Sequence, residues 1–362
     1  MTNFATAAPE TAAFHATASD PKPVVVSVES APQPWSAYVA SREGAVGYHD
    51  WRWRDVFKSA FGYDSIYFAA RRADRIVGVL PTVILDSWLF GRALISLPFV
   101  NYGGVLADDP VAERGLLDAA VAAAAEHRCK HVELRHIGRH FDDLPCKEHK
   151  VTMLLPLQPS PALWDALDKK VRNQVRKAQK SGLTYQDGGL ELLDGFYAVF
   201  ARNMRDLGTP VYSRKFFAQI LKTFPDRARV HLISQGATPA AAGLTFQTNS
   251  TVEIPWASSV RDFNALCANP LLYWSMLEGA AGRGCATFDF GRSTPNEGTF
   301  KFKAQWGAEP VPLCWEYRLL AGGELPNTSP TNPKFELAVA MWKKLPLPVA
   351  NRLGPKIVRA IP

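Results

Sequence analysis

The spacing of apolar positions changes several times along the chain, and each change marks an element. "PVVVSVE" (23–29) is a β-branched run that predicts a strand. "VGYHDWRWRDVFKSAFG" (46–62) suits a helix stopped by Gly62. "SIYFAARRADRIVGVLPTVIL" (65–85) is two apolar runs around a polar "RRADR" turn, a hairpin. "LISLPFVNYGGVLAD" (94–108) begins as a strand and breaks into a Gly-Gly loop. "PVAERGLLDAAVAAAAEHRC" (110–129) predicts a buried, alanine-rich helix, and "HVELRHI" (131–137) alternates as a strand.

The same order then returns. "SPALWDALDKKVRNQVRKAQKSG" (160–182) predicts one helix with Ser160 as N-cap, Pro161 at the first helical position and Gly182 as stop. "LLDGFYAVFARNMRDLG" (192–208) and "RKFFAQILKTF" (214–224) are further helices. Residues 228–259 predict a hairpin plus a third strand, 269–284 a helix, and "CATFDFG" (285–291) a strand. Each half thus contains helix, hairpin, strand, helix, strand, with negligible residue identity between halves. The pattern predicts an α/β protein made of two copies of one unit, with mixed sheets covered by helices.

The expected divisions are a disordered Ala/Thr/Pro-rich segment over 1–23, a first domain over 24–150 and a second over 151–322. A linker and basic tail follow over 323–362. In the tail, "KFELAVAMWKKL" (334–345) predicts a helix. A second amphipathic piece then puts Leu353, Ile357 and Val358 on one face, with Lys356 and Arg359 elsewhere.

A net charge of +7 favours anionic partners: phosphates, acidic lipid surfaces or nucleic acid. The five cysteines, Cys129, Cys146, Cys267, Cys285 and Cys314, form no C-x-x-C pair. The expectation is packed thiols in a reducing compartment, with neither a zinc ribbon nor a disulfide framework. His127, His131, His136 and His140 fit no single metal-binding face, so no metal is expected. No secretory signal is expected, and no apolar stretch is long enough to span a bilayer.

The candidate chemistry gathers in "DFGRSTPNEGTFKFKAQWG" (289–307). Asp289 stands where a buried strand meets a loop, a costly place for a carboxylate unless it is paired or working. Arg292 is its expected partner. Read as an extended strand, "FKFKA" turns Lys301 and Lys303 to one side and Phe300, Phe302 and Ala304 to the other. Two lysines so placed bind phosphate or meet a developing oxyanion; a plain amphipathic edge strand has the same pattern. The helix 168–180 carries six cations, Arg172 and Arg176 among them, over a Val171/Val175/Ala178 stripe. Its exposed face is either solvated or a phosphate-binding surface. Nucleic-acid binding wants interleaved aromatics, and none falls between Asp168 and Lys180. Glu253, in "STVEIPWAS", is either a second base or a surface carboxylate, and Tyr102, in "NYGG", either a hydrogen-bond donor to an acceptor or a packing residue.

These motifs carry a resemblance. "DFGRS…EGTFKFKAQWG", "KKVRNQVRKAQKSGL" and "SLPFVNYGGVLADD" together resemble the FemAB-like family, whose domains have the GNAT acyltransferase fold. The tail, "NPKFELAVAMWKKLPLPVANRLGPKIVRAIP", is similar to that of FemAB-like proteins associated with exosortase and exopolysaccharide gene clusters. The resemblance spans about 24–362 and implies tandem GNAT-like domains with mixed central sheets.

The activity it implies is acyl transfer to an amine, without a tightly bound cofactor or a metal. The implied donor is acyl-CoA or acyl carrier protein, and the implied acceptor an amine on an envelope glycan or its lipid-linked precursor. Lys303 matches the lysine that stabilises the transfer site, and Asp289 the carboxylate that closes the preceding strand. Glu253 and Asp289 are the candidate bases, and Tyr102 the candidate hydrogen-bond partner of the acceptor. Arg292, Lys301, Trp306, Arg172 and Arg176 are the candidate substrate-binding residues. The chain lacks the long helical arm of many tRNA-using members, which weighs against tRNA as donor. The alternatives are an aminoacyl-tRNA-dependent peptidoglycan ligase, an N-acyltransferase for a sphingoid-type lipid amine, and a non-catalytic module. The expected location is cytoplasmic, with the basic tail resting on an anionic inner membrane face.

Overall fold

The computed structural model describes residues 23–88, 90–320, 322, 325–326 and 333–361. The segment expected to be disordered lies outside these residues except for Pro23, as does most of the linker.

The first half runs β1 (Val24–Val28), α1 (Pro32–Ala40), α2 (Trp53–Phe61), β2 (Asp64–Arg72), β3 (Arg75–Ser87), β4 (Gly91–Ile95) and the two-residue β5 (Leu106–Ala107). It continues through α3 (Pro110–Glu126), β6 (His131–Ile137) and β7 (Cys146–Pro156). The second half opens on α4 (Ser160–Ala166) and α5 (Lys169–Gln179). It then runs β8 (Leu183–Gly188), α6 (Leu193–Leu207), α7 (Arg214–Thr223), β9 (Ala228–Gln235), β10 (Thr238–Thr248) and β11 (Thr251–Ser259). After these come α8 (Ala268–Gly282), β12 (Thr287–Ser293), α9 (Gly298–Ala304) and β13 (Glu309–Leu319). Two tail helices follow, α10 (Pro333–Trp342) and α11 (Leu347–Val358).

The strands join one sheet in the order β1-β2-β3-β4-β6-β13-β7-β12-β11-β10-β9-β8, with β5 paired to β3 off this path. Read inward from either edge the pattern is the same. Four antiparallel strands lead to a strand paired in parallel, β6 beside β4 and β12 beside β11. Each parallel step is crossed by a helix, α3 or α8, as parallel pairing requires. The halves then exchange their last strands, β13 packing on β6 and β7 on β12, and β7 and β13 pair at the seam. The join expected near residue 150 falls inside β7.

Aromatic packing welds the halves. Trp53 of α2 meets Phe224 and Phe246 of the second half at 5.2 and 5.5 Å between ring centroids, and Phe61 meets Phe216 at 5.1 Å. Such large buried rings contribute most of the apolar area of a core. On the opposite sheet face, Val171, Val175 and Ala178 of α5 pack with Val151, Met153 and Leu155 of β7 and with α8.

Several local expectations are corrected. Residues 160–182 are two helices, because Leu167 and Asp168 are extended (ψ 145° and 141°) and Leu167 is drawn into the core. Ser160 caps nothing; its hydroxyl reaches Glu278 at 3.4 Å. "FKFKA" is helix α9, so Lys301 and Lys303 do not share a face, since residues two apart diverge around a helix. Cys146 and Cys314 form a disulfide rather than packed thiols: they sit on the paired strands β7 and β13 with Cα atoms 5.9 Å apart, within bridging range. Cys129, Cys267 and Cys285 remain free thiols. His131 and His136 are buried.

The tail is part of the body. α11 buries Ala350, Gly354 and Val358, one per turn, and turns Leu353 outward, against the expected Leu353/Ile357/Val358 face. A Cβ on Gly354 would stand 2.8 Å from the Val211 nitrogen, so only glycine lets the helix come this close. Tyr63 donates to the Arg359 carbonyl, Ser87 to that of Ala360 at 2.6 Å, and Arg205 to that of Leu345 at 2.8 Å. Outward, α10 and α11 present Leu337, Met341, Val349 and Leu353 to solvent.

Candidate active site

β11 and β12 pair over three residues only, ending at Glu253 opposite Asp289. Both strands continue, so they part just beyond these two carboxylates. A register shift between Asp289 and Arg292 bends β12 there. Gly291 sits at the bend with φ 72°, and a Cβ would lie 3.0 Å from the Ile254 carbonyl oxygen, so the bend requires glycine.

Both carboxylates are buried, Glu253 at 5% and Asp289 at 1% exposure. Asp289 Oδ1 accepts from the Gly291 backbone N–H at 2.7 Å and from the Thr152 hydroxyl at 2.5 Å. Its Oδ2 accepts from the Tyr102 hydroxyl at 2.6 Å. Glu253 Oε1 accepts from Asn101 Nδ2 at 2.8 Å. The Tyr48 hydroxyl is buried beside Glu253. Burial raises the pKa of Glu253, and the charge of Asp289 raises it further. Burial also raises Asp289, against the pull of Thr152, Tyr102 and the Gly291 N–H. Two carboxylates this close cannot both ionise cheaply, so at neutral pH the pair retains a proton.

Lys303 projects from α9 into the bend. Its Nζ donates to the carbonyls of Gly291 and Arg292, each at 2.9 Å, leaving one of its three N–H groups uncommitted. Burial pulls its pKa down to about 8, against the attraction of Asp289.

Asn101 and Tyr102 arrive from the first half on the loop after β4. That loop is clamped from behind. The Gly103 N–H donates to the Arg135 carbonyl at 3.1 Å and the Val105 N–H to His136 Nε2 at 2.9 Å. His136 Nδ1 faces Glu316 at 2.5 Å; burial lowers the imidazole pKa, so the ring is neutral, accepting from Val105 and donating to Glu316. A Cβ on Gly104 would lie 2.0 Å from His136 Cδ2, so the Gly-Gly pair is what lets the loop lie against this ring.

The structure therefore brings Lys303, Asp289, Glu253 and Tyr102 into one cluster, with Arg292 at its edge. Arg292 does not pair with Asp289; its guanidinium lies 5.0 Å from the Trp315 ring centroid. Lys301 is exposed and turned away. Trp306 is 2% exposed and packs with Tyr273 and Phe302 in the core. Arg172 reaches Asp165, and Arg176 lies over Trp164 at 5.3 Å. The cavity beside α5, about 590 Å³, is lined instead by Lys169, Lys170, Asn173, Gln174, Lys177 and Cys267. Asn101, Thr152 and Tyr48 went unnoticed in the sequence. Thr152 had one signal, a lone polar residue in the apolar run "VTMLLP".

Comparison with known proteins bears on the fold. Residues 167–304 match the model of the acetyltransferase (GNAT) domain. The fold is similar to a crystal structure of FemX (TM-score 0.63, 15% identity, covering 86% of this chain and 99% of that one). It is also similar to a tandem GNAT protein from the clavulanic acid biosynthesis pathway (0.54, 12%, covering 83% and 100%). A third likeness is to the C-terminal domain of a putative lysylphosphatidylglycerol synthetase from Agrobacterium fabrum (0.50, 13%, covering 68% and 81%). No curated protein sequence matches the chain. Residues 167–304 thus carry a GNAT acyltransferase domain, and the chain as a whole has the tandem GNAT fold. The GNAT domain match and the likeness in fold to FemX support the resemblance to the FemAB-like family.

The buried pair generates a pH prediction. With Glu253 raised in the folded state, the unfolded chain loses that proton first as pH climbs, so Glu253 costs stability from the ordinary carboxylate range upward. The E253Q variant should therefore gain stability over the natural protein between about pH 5 and about pH 8. Urea unfolding at both pH values measures this; parallel profiles for the two proteins would exclude a proton-retaining Glu253.

Proposed function

We propose that the protein is an N-acyltransferase that moves an acyl group from a thioester, acyl-CoA or an acyl carrier protein, to an amine on an envelope glycan or its lipid-linked precursor. The observation that supports this reading is the conjunction, where β11 and β12 part, of a buried carboxylate pair with a lysine that has one free N–H.

The reaction needs those groups. The amine nitrogen attacks the thioester carbonyl, forming a C–N bond and a tetrahedral oxyanion. The remaining Lys303 N–H meets that charge in a water-poor site, where a fixed cation is most effective. The amine proton passes to the carboxylate pair, the C–S bond breaks, and the thiolate leaves. Tyr102, held by Asp289, and Asn101, held by Glu253, bring the first half to the reacting centre.

The tail favours an acceptor carried in lipid, whether a lipid-linked glycan or a sphingoid-type amine. Leu337, Met341, Val349 and Leu353 are exposed beside Lys343, Lys344, Arg352 and Lys356, the composition of a surface that rests on anionic lipid. Since α11 is packed into the body, truncation is a poor test. Instead, serine at Leu337, Met341, Val349 and Leu353 should abolish co-sedimentation with vesicles containing phosphatidylglycerol while leaving the melting temperature intact. Equal sedimentation of both proteins would dismiss the membrane surface.

Transfer itself is tested with acyl-CoA and acyl carrier protein donors against amino sugars and sphingoid amines, with and without ribonuclease. Loss of activity with ribonuclease favours the aminoacyl-tRNA ligase reading, and no transfer from any donor favours a binding module. In the active system Lys303→Met should lower kcat by about 100-fold. It should also cost about 1–3 kcal/mol of stability, because two buried carbonyls lose their donor. Lys301→Met should change neither. Near-normal turnover of a folded Lys303→Met protein, assayed well below its melting temperature, would remove Lys303 from the mechanism.

A further inference from the structure

The sheet face that carries the carboxylates also carries cations that, among the described residues, make no ion pair. Thr152 bonds Asp289, so alternation along β7 puts Lys150 on that same face. Arg292 lies opposite Thr152 in the β12–β7 register and shares it. The Arg292 guanidinium lies 5.0 Å and that of Arg135 4.1 Å from the Trp315 ring centroid. Arg135 is neutralised by Glu133 at 2.7 Å. Among the described residues neither Arg292 nor Lys150 has an ion-pair partner; Lys150 donates to the Thr294 hydroxyl at 2.5 Å. Burial, then the charge of Arg292, lowers the pKa of Lys150. His149 is lowered by burial, then by Lys150, Lys147 and Arg292. Glu297 attracts Lys150 and Glu133 attracts Arg292, but neither acid is in ion-pair contact with them, and an anionic ligand relieves the repulsion that remains between the two cations.

We infer that Arg292 and Lys150, with the Trp315 indole against the Arg292 guanidinium, bind a phosphoryl group, phosphate or diphosphate, carried by the amine acceptor. Two unpaired cations match the charge of a phosphate dianion, and a guanidinium can engage it with two N–H groups. The assignment to the acceptor follows from the two sides of the sheet. Val151, Met153 and Leu155 alternate away from Thr152 and pack with α5 and α8. The lysine-lined cavity beside α5 therefore serves the other face and suits the phosphates of the donor. Two anionic substrates then approach from opposite faces and meet where β11 and β12 part. The words donor and acceptor rest on the acyl-transfer reading; the anion site itself does not.

Phenylglyoxal modification of the full chain, with arginine adducts mapped by peptide mass spectrometry, tests this directly. Exposed Arg292 should react, and inorganic pyrophosphate should slow its reaction about tenfold while leaving the equally exposed Arg318 unchanged. Coenzyme A at the same concentration should give Arg292 little protection. Lys150→Met should abolish the protection by pyrophosphate. No protection in the natural protein, or undiminished protection in Lys150→Met, overturns the site. Equal protection by coenzyme A overturns the assignment to the acceptor. Because the readout is binding, a protein that transfers no acyl group but shows the expected protection defeats the acyl-transfer reading and leaves the phosphoryl site standing.

Discussion

Two carboxylates on adjacent parallel strands, both out of water, are the constraint around which the rest of the structure is arranged. Parallel register puts Glu253 beside Asp289. An isolated ionised carboxylate in such a place is prohibitively costly, and two are worse. The cost is met by a retained proton and by donors from three places: the Gly291 backbone, Thr152 on the exchanged strand β7, and Asn101 and Tyr102 from the first half. The second half therefore cannot satisfy its own centre. That dependence explains why the sheet is continuous, why β7 crosses over, and why the Gly-Gly loop is clamped so closely against His136.

The first half shows the alternative solution. Glu133 occupies in β6 the place that Asp289 occupies in β12, at the last paired position of the parallel step. It is neutralised within its own strand by Arg135 at 2.7 Å. One copy of the fold thus closes its carboxylate with a salt bridge. The other keeps a buried carboxylate pair in which Glu253 has a raised pKa, beside a lysine with an uncommitted N–H.

Much of the fold was legible in the sequence, and the reason is local. Hairpins such as 65–85 and helices such as 192–208 bury one face on neighbours close in the chain, so their periodicity declares them. The exchanged strands were not legible. "CKEHKVTMLLP" starts polar and ends apolar because β7 passes from a half-exposed seam into the core, and no single period describes it. α9 was misread for a related reason: "FKFKA" alternates like a strand, yet Lys303 is buried because its ammonium has two carbonyls to reach. At the site, Asp289, Lys303, Glu253 and Tyr102 were named from motif and chemistry, and the structure gathers them. Asn101 and Thr152 were missed because their role exists only across the interface between halves. Trp306, Arg172 and Arg176 were named for composition, and packing and local pairing occupy them instead.

The central claim is that the first-half loop and the second-half carboxylates form one energetic unit. A double-mutant cycle in urea unfolding on Tyr102→Phe and Asp289→Asn measures it most directly. The structure predicts a coupling of about 1.5–3 kcal/mol, the strength of a buried hydrogen bond to a charged group. Additivity within about 0.5 kcal/mol would show that the two residues are merely neighbours, and the interlock would fail with it.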